Sequence, residues 1–158
     1  MKLLYADMTE EEQEQNKVYM LCSDIIRSYA FQRATDLYDD MPYSEAGGAF
    51  QELFYPKYDT QEEIYMNIME TLKNAAAELS EYQFQTDAQE SKFSSVDILC
   101  NGDLDKWIRM ANSLRLRMAM RLCHVKPDAA LSTIKELIAE NRMLTEYSHD
   151  LGFEEQDK

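Results

Sequence analysis

The stretch that most limits how this chain can fold runs Lys106-Trp107-Ile108-Arg109-Met110-Ala111-Asn112-Ser113-Leu114-Arg115-Leu116-Arg117-Met118-Ala119-Met120-Arg121. Wound as an α-helix over 104–124, it places Trp107, Ile108, Ala111, Leu116, Met118, Ala119, Leu122 and Cys123 over about half its circumference. Leu114 and Met120 widen that arc on either side. A helix with so broad an apolar arc is buried on several sides, so other elements must pack around it. Arg117, Arg121, Ser113 and His124 take the remaining polar side and can reach solvent.

Arg115 and Asn112 project inside the apolar arc. A guanidinium keeps its proton, so burying it calls for a carboxylate or several carbonyl oxygens. Asp36 is the expected partner, because it projects in line with Val18, Ile25 and Tyr29 on another helix. A surface-curled Arg115 and an Arg115 that holds a ligand carboxylate are the competing readings.

The rest of the chain reads as helices around this one, an all-α fold of antiparallel pairs. A first helix is expected over 9–38, with Val18, Tyr19, Leu21, Cys22, Ile25, Ile26, Tyr29 and Ala30 on one face. Thr60-Gln61-Glu62-Glu63 has the form of a capping box and opens a second helix over 60–79, striped by Ile64, Ile68, Leu72, Ala75 and Leu79. Asn101-Gly102-Asp103 marks a turn before the arginine-bearing helix. Pro127 and Asp128 open a fourth over 127–141. The short connection makes the last two an antiparallel pair. Residues 80–102 are polar and expected to be irregular, with 87–95 the most mobile; from 141 onward a linker or frayed tail is expected. A long loop over 39–59 holds two prolines and a cluster of aromatics, which marks it as packed or functional. The helix pairs are tetratricopeptide-like in size, but the consensus of that repeat is not met.

Composition narrows the function. The net charge is -14, which repels phosphate backbones and anionic membrane surfaces, so nucleic acid is not an expected partner. Three cysteines at wide spacings read as free thiols rather than a disulfide framework or zinc site. No apolar run approaches the ~20 residues of a membrane span. The acidic start is unlike a signal peptide, and Tyr19-Met20-Leu21-Cys22 is a poor lipoprotein cleavage site because Leu21 is bulky. His124 and His149 lie far apart without metal spacing. No phosphate loop or catalytic triad context occurs. Neither an enzyme nor a cofactor or metal is expected.

Three segments carry a family resemblance. Gly102-Asp103-Leu104-Asp105-Lys106-Trp107 leading into Ala111-Asn112-Ser113-Leu114-Arg115-Leu116-Arg117-Met118-Ala119-Met120-Arg121 resembles the "D…KW…ANSLKLRLAMR" pattern of SusD/RagB-like proteins. Thr35-Asp36-Leu37-Tyr38-Asp39-Asp40-Met41-Pro42-Tyr43-Ser44-Glu45-Ala46 is similar to "TDxYGDxPYSEA", with Asp39 where that pattern has glycine. Pro56-Lys57-Tyr58-Asp59-Thr60-Gln61-Glu62-Glu63-Ile64-Tyr65 is similar to "PKYDxQExIY". The resemblance spans about 18–141. It implies the helical middle portion of a longer lipoprotein, so that 1–158 is expected to be a single helical domain fragment.

The resemblance further implies capture of oligosaccharide or another nutrient at the outer-membrane surface, on a SusC-like TonB-dependent transporter. Contact with the membrane would run only through a lipid anchor outside this stretch. Sugar binding uses aromatic faces, so Tyr43, Phe50, Phe54, Tyr55 and Tyr58, on or beside the long loop, are the candidate ligand residues, weighed against a packing role for each. Asp36, Asn112 and Arg115 are the expected buried polar residues. A helical interaction scaffold with no ligand of its own is the rival function.

Overall fold

The computed structural model describes residues 5–48 and 52–145. Within them run five α-helices: α1 Glu10–Tyr38, α2 Gln61–Glu81, α3 Asp87–Val96, α4 Leu104–Leu122 and α5 Pro127–Glu140. One isolated antiparallel bridge, Met41 with Asp59, is the only extended pairing among the described residues.

Helix starts follow their capping chemistry. Thr9 and Glu12 form a capping box at α1, and Thr60 and Glu63 form one at α2, each satisfying two backbone donors that the first turn leaves free. Asp103 accepts from the backbone of Asp105 and Lys106 to start α4. Pro127 occupies the first turn of α5, and Asn141 ends that helix in the left-handed region at φ 50°.

α4 lies at the centre, as its apolar arc requires. It packs most extensively on α2, then on α5, and touches α1, while α1 covers the other side of α2. Ile25, Ile64, Ile68, Leu72, Leu79, Ile108, Met118 and Leu137 are fully enclosed, and Trp107 is buried among them. On α1 the buried line is rotated from the expected stripe. It runs Val18, Leu21, Ile25, Ser28, Gln32 and Thr35, whereas Tyr29 and Ala30 face outward. The core line thus continues through polar residues that an apolar count passes over.

Two expectations are corrected. Residues 80–102 are not irregular, because α3 occupies 87–96. The Thr86 side chain accepts from the backbone of Gln89 to cap it, and Phe93 seals it down edge-on against Tyr19 at 5.4 Å. The stretch just past Asn141 is no free tail either. Arg142 pairs with Asp105 at 2.7 Å, Met143 accepts from Arg109, and the Leu144 N–H donates to Ser113. Each partner lies on α4, so the chain is laced back to the central helix after α5 ends.

The partner of Arg115 is the third correction. Arg115 is buried, its side chain 4% exposed, but it donates to Glu136 on α5 at 3.0 Å and to Asn112 at 3.3 Å, not to Asp36. Helix-wheel projection shows which way a side chain points, not which neighbour lies there, and α5 covers that side of α4. Glu136 also accepts from Lys73 of α2 at 3.0 Å. Burial raises its carboxyl, and the hydrogen bonds from Arg115 and Lys73 outweigh that and hold it below the ordinary glutamate value. Asn112 is fully buried and donates to Glu140 and to the Arg142 carbonyl, both at 3.0 Å. Asp36 is half-buried and pairs instead with Arg121 at 2.7 Å, with Tyr65 and Gln32 donating to it as well.

Candidate functional site: an aromatic loop on a carboxylate knot

The loop between α1 and α2 is tied at its base by one side chain. Asp59 is covered by its own loop and accepts from the backbone N–H groups of Tyr43 and Ser44, at 3.1 and 2.7 Å, and from the Ser44 hydroxyl. Lys57 adds an ion pair at 3.2 Å. The Ser44 amide leads these donors in lowering the Asp59 carboxyl to about 2, against the opposing push of burial. The backbone of Asp59 pairs with Met41 in both directions, and Glu45 accepts from the Lys57 N–H at 2.8 Å. Sequence reading passed over Asp59, although an acid that closes a long loop one residue before a helix cap is a usable signal.

Tyr43 is the loop's anchor. Its ring is buried edge-on against Phe31 at 4.9 Å, and the Arg27 guanidinium stands 5.0 Å from both ring centres. Its hydroxyl donates to Asn67 at 2.6 Å. Burial raises that phenol, and Arg27 opposes the rise. A ring packed on these groups has no face left for a sugar.

Phe54, Tyr55 and Tyr58 are 70%, 93% and 71% exposed. Pro56 separates Tyr55 from Lys57, and the knot holds the segment just beyond Tyr58. Phe50 lies outside the described residues. Thus three of the five aromatic candidates present themselves on a loop whose ends are fixed, and one is an internal brace.

A second carboxylate knot, also unforeseen from sequence, fixes the sole tryptophan. Asp97 accepts from the N–H groups of Leu99, Cys100 and Gly102, and from the Trp107 indole at 2.8 Å. Gly102 sits at φ +82°, and a Cβ there would meet the Ser94 side chain at 2.0 Å, so only glycine suits this turn. No group of three or more histidine, cysteine or acidic side chains among the described residues could hold a metal ion. No helix among them is long and apolar enough to cross a membrane.

The family model described as "Starch-binding associating with outer membrane", SusD-like, matches residues 2–157. This chain belongs to the SusD-like family. That family is one of binding proteins, not enzymes. Solved SusD-like structures agree. A SusD homolog from Bacteroides vulgatus ATCC 8482 is 26% identical over 98% of this chain, with a TM-score of 0.74. A SusD-like protein from Bacteroidetes AC2a is 30% identical over 94%, with a TM-score of 0.73. A chitin-binding SusD homolog from Flavobacterium johnsoniae is 31% identical over 85%, with a TM-score of 0.68. The chain spans 29%, 25% and 27% of these structures' own lengths. No curated protein matches the chain.

Proposed function

We propose that the chain is the helical portion of a cell-surface nutrient-binding protein at the outer membrane, which captures oligosaccharide and delivers it to a SusC-like TonB-dependent transporter. In this reading the five helices are the scaffold, and Phe54, Tyr55 and Tyr58, with Phe50, offer ring faces to pyranose C–H groups. The observation that carries it is the exposure of those rings on a loop whose base is fixed by Asp59. Large apolar side chains are costly to leave in water, and a rigid mount lets them meet a ligand without paying again to order the loop. The family description and the chitin-binding relative support a glycan ligand.

Calorimetric titration of the intact protein with malto-oligosaccharides and chito-oligosaccharides tests this. One or both should bind, and Tyr55→Ala should weaken binding about tenfold, the worth of one aromatic contact of ~1.4 kcal/mol. Helical content should be unchanged. If neither series binds, or if Tyr55→Ala and Tyr58→Ala bind as the parent does, the loop is not the ligand surface and the scaffold reading takes its place. Crosslinking in native outer membranes should recover a TonB-dependent transporter.

A further inference from the structure

The sequence holds seven arginines in a chain of net charge -14. Five have partners: Arg27 with Tyr43, Arg109 and Arg142 with Asp105, Arg115 with Glu136, and Arg121 with Asp36. Arg33 and Arg117 make no hydrogen bond, ion pair or ring contact among the described residues. With acids so abundant, two bare guanidinium groups are unexpected, and both line one pocket.

That pocket lies between α1 and α4, has a volume of about 460 Å³, and is walled by Gln32, Arg33, Asp36, Leu37, Arg117 and Arg121. Its volume falls within the range of small-ligand sites. Arg117 and Arg121 stand one turn apart on α4, where like charges repel. Asp36 answers only Arg121, and its oxygens are further engaged by Tyr65 and Gln32.

Gln32 supplies an independent observation. It is 1% exposed, its amide Nε2 donates to Asp36, and its Oε1 has no hydrogen-bond partner. Reversing the amide would set that oxygen against the Asp36 carboxylate, so the orientation is fixed. A buried acceptor without a donor is costly. The pocket therefore needs two things at once: an anion for Arg33 and Arg117, and a hydroxyl donor for Gln32. Sulfate offers only the first, and a neutral sugar only the second.

We propose that this pocket binds the uronate unit of an acidic saccharide. The carboxylate bridges Arg33 and Arg117, a neighbouring ring hydroxyl donates to Gln32 Oε1, and the exposed Leu37 side chain lies along the ring's C–H edge. The site is separate from the aromatic loop and does not rest on it.

The test is calorimetric titration of the intact protein at low ionic strength with trigalacturonate, maltotriose and sodium sulfate. Trigalacturonate should bind, and high salt should weaken it. Arg33→Gln and Arg117→Gln should each lower affinity about tenfold, the worth of one charge-assisted hydrogen bond. Both side chains are exposed, so folding should be intact, checked by circular dichroism. Tyr55→Ala should leave uronate affinity unchanged, which separates this site from the loop. The proposal is overturned if trigalacturonate does not bind, if sulfate or maltotriose binds as tightly at this site, or if both arginine variants bind as the parent does.

Discussion

Asp39 ends α1 at φ 63° and ψ -126°, a backbone conformation natural to glycine and strained for any side chain. The strain is held in place by two contacts: the Asp39 N–H donates to the Thr35 carbonyl at 2.9 Å, and the Thr35 hydroxyl donates to the Asp39 carbonyl at 2.8 Å. Both use backbone atoms of Asp39, and its exposed carboxylate has no partner among the described residues. Asp39→Gly therefore keeps every contact and removes the strain. Such a residue costs ~1–3 kcal/mol, and glycine's added freedom in the unfolded chain gives back ~0.4–1. The net gain should be about 1 kcal/mol, raising Tm by ~2–4 °C.

Asp39→Ala is the control. It removes the same negative charge from the C-terminal end of a helix, where acids are unfavourable, but keeps the Cβ. Urea and thermal unfolding of the three proteins separate the causes. Glycine should be the most stable of the three, with alanine near the parent. Equal stabilisation by alanine and glycine would assign the effect to charge. A neutral or destabilised glycine variant would refute the strain argument. The SusD-like pattern has glycine at this position, which is the choice the geometry favours.

Other consequences are as direct. Removing Glu136 leaves the buried Arg115 guanidinium with only Asn112, so Glu136→Ala should cost about 2 kcal/mol in urea unfolding, the solvent-open glutamate reducing the full buried-pair penalty; a loss under ~0.5 kcal/mol would show the pair to be idle. Asp97→Ala strips three backbone donors and the indole of their acceptor, so it should cost about 3 kcal/mol and red-shift the fluorescence of Trp107, the sole tryptophan. An unchanged spectrum would mean that the indole does not depend on that bond. The Asp59 carboxyl is lowered from 3.8 to about 2, so its contribution is full above pH ~4 and disappears as pH falls towards 2. The whole shift would be worth ~2 kcal/mol, and screening at this shallow site reduces it to about 1. Asp59→Asn should remove that part of the acid dependence, and a stability profile identical to the parent's between pH 4 and 2 would refute it.

Sequence carried the helices well where a local rule governs them. The Thr60–Glu63 box, Pro127 at the start of α5 and the breadth of the apolar arc on α4 are each decided within a few residues. Helix α3 escaped because its signals are slight: one capping threonine and one buried phenylalanine in a polar segment. The Thr86-Asp87-Ala88-Gln89 spacing does follow the capping-box pattern that announced α2. The partner of Arg115 could not be read from one helix, since the choice between Asp36 and Glu136 depends on which neighbour packs over that face. Asp59 and Asp97 are harder still. Their partners are backbone N–H groups of irregular segments, which have no residue type to recognise. At the loop, residue type identified the aromatics, but only packing separated Tyr43, held by Phe31 and Arg27, from Tyr55, which faces water.

The Asp59 knot also sets the mechanics of whatever the loop holds. Residues 43–44 and 57–59 are clasped to one another, and Thr60 begins the capping box of α2 immediately afterwards. Movement at the tip is confined to the arc between the clasped ends, and a pull on Tyr55 reaches the first turn of α2 without slack. The loop is therefore a tethered handle on the scaffold rather than a swinging flap. Force applied through a bound chain of sugars would load helix α2 at its N-terminus, the end that the Thr60–Glu63 box reinforces.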